Sequence, residues 1–161
     1  MSLQELDKTI FYTLDKAIKT YRQFAAKNIR QALGTADITI DQWLVLKTVK
    51  DYPELPQKEI AEKVFKDYAS ITRIIEILVK KDYLTRAFHP QDRRRFRLRL
   101  TDLGELTYAS LVPIVKENRQ IALSGIQREE IVKVKTILDK VIDNCLVQSE
   151  YLSNQQLIKT E

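Results

Sequence analysis

The chain has 161 residues, 44% of them apolar, and only three Gly and four Pro, so it can bury one sizeable core and is neither disordered nor loop-rich. No apolar run approaches the ~20 residues that span a bilayer, and a single cysteine, Cys145, cannot close an internal disulfide. The net charge of +5 is unevenly placed: residues 58–99 hold 12 Lys and Arg against 6 Asp and Glu, whereas the remainder holds 15 against 16. The excess is a local basic patch, which suits a polyanion partner. The opening MSLQELDKTIFY has early acids and no apolar signal core, so a cytoplasmic protein is expected.

Residues 3–33 predict one long amphipathic helix, with Leu3, Leu6, Ile10, Leu14, Ala17, Ile18, Tyr21, Phe24 and Ala25 recurring at helical spacing. Gly34 suits a left-handed stop. Thr39 then opens TIDQ, a capping box in which the Thr39 hydroxyl and the Gln42 side chain satisfy each other's backbone donors. The helix it starts carries Trp43, Leu44, Leu46 and Val49 and ends near Asp51. Pro56 suits the opening of a short third helix bearing Ile60, Ala61 and Val64. Asp67 is a good N-cap for a fourth, whose inner stripe is Ile71, Ile74, Ile75 and Leu78. Two short helices this close predict a helix-turn-helix, although its turn lacks the usual glycine.

From Tyr83 the period changes from 3.6 to 2. Residues 83–88 and 96–100 predict two strands joined by a projecting seven-residue loop, HPQDRRR. Thr101-Asp102 caps another helix, with Leu103, Leu106, Val112 and Val115 apolar and a kink expected at Pro113. After Gly125 comes a last helix striped by Ile131, Val134, Leu138, Val141 and Cys145, and then a polar tail over 149–161 that should fray. The expected fold class is mainly α with a small β-hairpin, in a single domain over 1–148. Within it, residues 39–101 form the binding module. The helices of 3–33 and 103–148 have more apolar surface than that module needs, which suits packing against a second copy as a homodimer. A monomeric bundle is the alternative.

On the fourth helix, Ser70, Thr72 and Arg73 fall on or beside the open face, together with Ala69 and Glu76. Hydroxyls there can reach phosphates or base edges, and a guanidinium can be bidentate to guanine O6 and N7. An ordinary surface helix would look similar. The hairpin is more specific, because five of the seven residues from 93 to 99 are arginine. Alternation puts Phe96, Leu98 and Leu100 toward the core and Arg97 and Arg99 outward, with Arg93, Arg94 and Arg95 at the tip. Such a run suits phosphate or a narrow minor groove, and it exceeds what edge-strand protection requires. Asp92 can hold one of these guanidinium groups in a fixed orientation.

The run DRRRFRLRLTDLG, from Asp92 to Gly104, resembles the wing signature of the MarR-type (multiple antibiotic resistance) regulators. Asp92, Arg94, Leu98, Leu100, Thr101 and Gly104 fill its positions. ITIDQWLVL and KDYASITRIIEILVKKDYL are similar to the family's second-helix entry and its recognition helix with first wing strand. The resemblance covers roughly residues 3–148 and implies a dimeric winged helix-turn-helix repressor or activator. Its partner would be double-stranded DNA carrying a pseudo-palindromic operator. Arg94 would then enter the minor groove, Asp92 would steady the wing, and Ser70, Thr72 and Arg73 would occupy recognition-helix contact positions. Phosphate contact by Arg93 and Arg95 is inferred from charge alone. Gln127 departs from the Ser or Thr that commonly caps the family's last helix.

The resemblance also implies a small aromatic or lipophilic effector bound beside the DNA-binding module, where Tyr12, Tyr21, Phe24 and Trp43 could line a pocket or simply be core. Cys145 lies on an apolar stripe and should be buried and inert. His89 is the only histidine, so neither a metal site nor another cofactor is expected. No phosphate loop, Cys-x-x-Cys pair or nucleophile beside a histidine points to an enzyme. The competing reading is an adaptor whose basic wing docks an acidic protein.

Overall fold

The computed structural model describes residues 3–34, 38–89 and 92–158, without the side chains of 3–4, 7–8, 33, 88–89, 92–96, 150 and 152–158. Leu3, Asp92, Arg93, Arg94, Arg95 and Phe96 are therefore placed by backbone only, and Pro90 and Gln91 lie outside the described residues. The elements run α1 (Leu3–Leu33), α2 (Ile40–Asp51), α3 (Gln57–Lys63), α4 (Tyr68–Lys80), β1 (Leu84–His89), β2 (Asp92–Leu100), α5 (Asp102–Ala122) and α6 (Arg128–Ile158). They divide into two compact units, Met1–Ala122 and Leu123–Glu161.

In the first unit, local chemistry sets the helix ends. Gly34 takes φ +57°, a backbone that costs glycine nothing, and it terminates α1. The Thr39 hydroxyl accepts the Gln42 N–H at 3.2 Å while the Gln42 side chain accepts the Thr39 N–H at 3.0 Å, so both halves of the capping box form. Pro56 is the N-cap of α3, which begins one residue later than the proline suggests. Asp67 caps α4 by accepting the Ser70 N–H at 2.8 Å.

The core lies between α2, α3, α4, the base of the hairpin and α5. Val45, Leu46, Ile60, Ile71, Ile75, Leu78, Leu84 and Leu111 are at most 1% exposed, so the helix-turn-helix is built on a dry centre. α1 packs along α5, where the Asn28 side chain donates to Asn118 Oδ1 at 2.6 Å, and Ile29 joins the core. The N-terminal part of α1 is different: Leu6, Ile10, Phe11 and Ile18 stay exposed in the single chain, as do Leu106 and Val112 of α5.

The hairpin differs from expectation. Register runs Leu84↔Leu100, Thr85↔Arg99, Arg86↔Leu98, Ala87↔Arg97 and Phe88↔Phe96, and then jumps to His89↔Asp92. One step along β1 thus matches four along β2, which leaves Arg93–Arg95 as a bulge within the strand. The strands close up to His89 and Asp92, so the seven-residue loop expected from sequence does not exist. A charged run has no period-2 apolar pattern, and alternation alone cannot tell a bulge from a loop.

In the second unit, α6 starts at Arg128. Glu130 reaches back to accept the Gln127 N–H at 2.9 Å, supplying the half of a capping box that needs no Ser or Thr. The helix continues to Ile158, past the point where the sequence turns polar. Cys145 is exposed rather than buried; of the stripe expected with it, Val134 is also exposed and Ile131, Leu138 and Val141 are only half-buried in the single chain.

Candidate nucleic-acid interface

α4 presents its residues unequally. Buried Ile71, Ile75 and Leu78 fix one face, which leaves Ala69, Arg73 and Glu76 exposed on the opposite one. The Ser70 hydroxyl donates to Asp67 Oδ2 at 2.6 Å, and this bond, with the backbone N–H of Ser70, holds the Asp67 carboxyl below its ordinary pKa. The Thr72 hydroxyl donates to Tyr68 O at 2.8 Å and accepts from Gln57 Nε2 at 2.5 Å, which ties α4 to α3. Of the three recognition positions, Arg73 alone is fully exposed; Ser70 and Thr72 are half-buried and bonded within the motif. Spacing puts all three near one face, but it does not reveal the Gln57 bracket, because the two helices meet only in three dimensions.

The hairpin continues the basic surface. Leu98 is buried and Arg99 exposed, as alternation requires. Arg97 is not directed freely outward. Its Nε lies 2.6 Å from Glu54 Oε2 and its side chain is only 22% exposed, so it ties β2 to the turn after α2. Local alternation cannot show that this turn carries an acid beside the strand. Arg86 of β1 is also exposed, but it pairs across the ladder with Leu98 and so lies on the other face of the hairpin from Arg99; its only sequence signal was membership of the basic segment. Asp92 and the arginines 93–95 occupy the outer end of the ladder, next to the register break.

Residues 38–96, from the α2 cap through the bulge, match the family model described as "MarR family". The HTH-type transcriptional regulator SarZ of Staphylococcus aureus (strain MRSA252) is 28% identical over 138 residues, spanning 84% of this chain and 88% of the relative. Over that segment the chain is similar to MarR-family regulators. Among solved structures, a MarR variant from E. coli complexed with operator DNA superposes with a TM-score of 0.68 at 22% identity, over 88% of this chain and 99% of that one. The PcaV regulator of Streptomyces coelicolor in complex with its natural ligand gives 0.70 at 23% identity, over 89% and 96%. The matched relatives include named transcriptional regulators, and the chain shares the winged helix-turn-helix fold of these structures.

The winged helix-turn-helix module meets its supporting helices at a junction of α1, α2 and α5. A cavity of about 210 Å³ there is lined by Tyr21, Arg22, Trp43, Leu44, Asn118 and Arg119 among others. A shallower cavity of about 560 Å³ beside it takes in Tyr21 and Phe24. Trp43 is buried and stacks parallel to Tyr108 at 6.3 Å between centroids. Trp43 Nε1 and Asn118 Nδ2 are buried donors without partners among the described residues. Tyr12 is 68% exposed and lines neither cavity, so the four aromatics expected together are divided. Among the described residues no cluster of His, Cys, Asp or Glu is placed to hold a metal ion, and no helix is long and apolar enough to cross a membrane.

An ion-pair bridge, invisible in the sequence, joins this junction to the helix-turn-helix. Asp41 accepts from Arg22 of α1 at 2.5 Å and pairs with Lys66 of the α3–α4 turn at 3.1 Å. Partial burial raises the Asp41 pKa, but the hydrogen bonds and charges of Arg22 and Lys66 outweigh it, and the net position is below 3.8. A depressed carboxyl contributes stability above its unfolded pKa, and that contribution is lost as pH falls through the folded value. Asp41→Asn should therefore cost about 1 kcal/mol at pH 7, since both pairs are partly screened by solvent. In urea denaturation the gap from the native chain should narrow from about pH 4 downward. A gap independent of pH would assign the loss to packing instead.

Proposed function

We propose that the chain is a ligand-responsive repressor that works in the cytoplasm as a homodimer on a pseudo-palindromic operator. The observation that carries this reading is the exposed Arg73 face of α4 followed directly by a hairpin with exposed Arg99 and the arginine bulge. In this reading Arg73, with Ser70 and Thr72 beside it, addresses the major groove, and Arg93–Arg95 with Asp92 address the flanking minor groove and phosphates. Arg97 supports the wing through Glu54.

Homodimerisation is supported by the uncovered apolar residues of α1, α5 and α6, which a second copy would bury. The working division is residues 3–33 and 103–148 for assembly and 39–101 for DNA, with 149–161 as a tail. A small aromatic or lipophilic effector is supported by the junction cavity, where Tyr21 and Trp43 offer ring faces and Arg22 and Arg119 suit an acidic group. PcaV, which shares the fold, has been solved with its natural ligand. Docking of an acidic protein by the wing is the second reading, and the same basic surface favours it.

Selection of bound duplexes from a genomic library by the full chain tests both. The expected product is a symmetric motif with half-site centres about 10 base pairs apart, one helical turn. Recovery of duplexes without any shared motif would remove sequence-specific regulation and leave the adaptor.

A further inference from the structure

The turn between α3 and α4 contains a residue that the fold does not need. Phe65 takes φ +56°, a left-handed backbone that disfavours side chains and is a genuine outlier for a bulky one. The residue is 91% exposed, the most of any large apolar residue described. Around Phe65 the turn closes through main-chain bonds, Phe65 N to Glu62 O at 3.2 Å and Lys66 N to Ala61 O at 2.9 Å, and the Phe65 ring takes no part in it. Glycine would hold this turn with less strain and no exposed apolar surface. Strained residues of this kind concentrate where a surface has work to do.

Position indicates the occupant. Phe65 precedes Asp67, the N-cap of α4, by two residues, at most about 7 Å of extended chain. The N-terminal end of a recognition helix is the part that reaches base edges. Tyr68, in the first turn of α4, is also 60% exposed. Both lie within residues 58–99, where the entire basic excess of the chain resides. An exposed aromatic pair within a basic surface, continuous with the DNA-facing end of α4, matches a polyanion that also carries apolar surface.

We propose that Phe65, supported by Tyr68, is an apolar DNA contact, its ring packing on deoxyribose or on a thymine 5-methyl group at the edge of the major groove. This rests on DNA binding through α4. The test is fluorescence anisotropy of the full chain on its selected operator at physiological salt, with melting temperatures measured alongside. Phe65→Ala and Phe65→Gly should each weaken binding about tenfold, the scale of burying part of an aromatic side chain. Phe65→Gly should at the same time raise the melting temperature, because it relieves the backbone. Replacing operator thymines by uracil distinguishes the two DNA surfaces. A loss seen with the native chain but not with Phe65→Ala identifies a methyl contact; equal losses, with Phe65→Ala still weaker, identify the sugar.

Arg73→Ala is the control. If it weakens binding while both Phe65 variants bind like the native chain, the ring serves a protein partner and the proposal is overturned, with DNA binding intact. If the native chain binds no duplex, both readings fall together.

Discussion

Gly104→Ala should destabilise the fold by roughly 2–4 kcal/mol, a large effect for a single methyl group. A Cβ at Gly104 would stand 2.1 Å from the Tyr83 carbonyl oxygen and 3.0 Å from its carbon. The glycine has no positive φ, so the requirement is close approach, not backbone freedom. Relief would need the main chain at Tyr83 to move, and that chain is fixed from several sides. Tyr83 N–H donates to Leu78 O at 2.9 Å, Tyr83 O accepts from Thr101 N–H at 3.2 Å, and the Thr101 hydroxyl donates to Asp82 O. Thr101 Oγ1 also accepts the Gly104 N–H at 3.0 Å. The Leu-Thr-x-x-Gly end of the wing signature is thus a lock that seats the start of α5 on the end of α4. Urea denaturation should show a lower midpoint with an unchanged m-value. A loss below about 0.5 kcal/mol would mean that the contact relaxes freely.

How much was legible in the sequence follows from the range of each interaction. The stop of α1 and the starts of α2 and α4 are set by residues within four positions of one another, such as Thr39 with Gln42 and Asp67 with Ser70, so they could be read locally, whereas α6 runs past its expected end to Ile158. Inner faces followed from periodicity for the same reason. The arginine bulge was misread as a loop because a bulge is defined by its partner strand. Arg97 with Glu54, Gln57 with Thr72, and Asp41 with Arg22 and Lys66 were missed because each joins different elements. The absence of a turn glycine counted only as a weak signal in sequence. The structure shows what that substitution does, which is to hold Phe65 in a left-handed conformation in open solvent.

Arg94→Ala should weaken operator binding by roughly 1–3 kcal/mol, about 5- to 150-fold, more than the same change at Arg93 or Arg95. The three arginines share one bulge and one charge, so net electrostatics cannot rank them. The ranking comes from Arg94 matching the signature arginine and from what a bulge does. It suspends the ladder locally and increases twist, so neighbouring side chains no longer follow strict alternation. One arginine can then address a groove while its neighbours address phosphates on either side. Loss of a phosphate contact should lower the salt slope by ~0.9 and weaken all duplexes alike. Loss of a minor-groove arginine should instead weaken A·T-rich flanks most, where the narrow groove concentrates negative potential. Arg94→Lys separates charge from shape, since it keeps the first and loses the planar, weakly hydrated fork. It should restore the salt slope but not the A·T preference. Titrations across flank variants at two salt concentrations read both quantities. Equal losses at Arg93, Arg94 and Arg95, without flank preference, would make the wing a phosphate clamp and leave base selection to Arg73 alone.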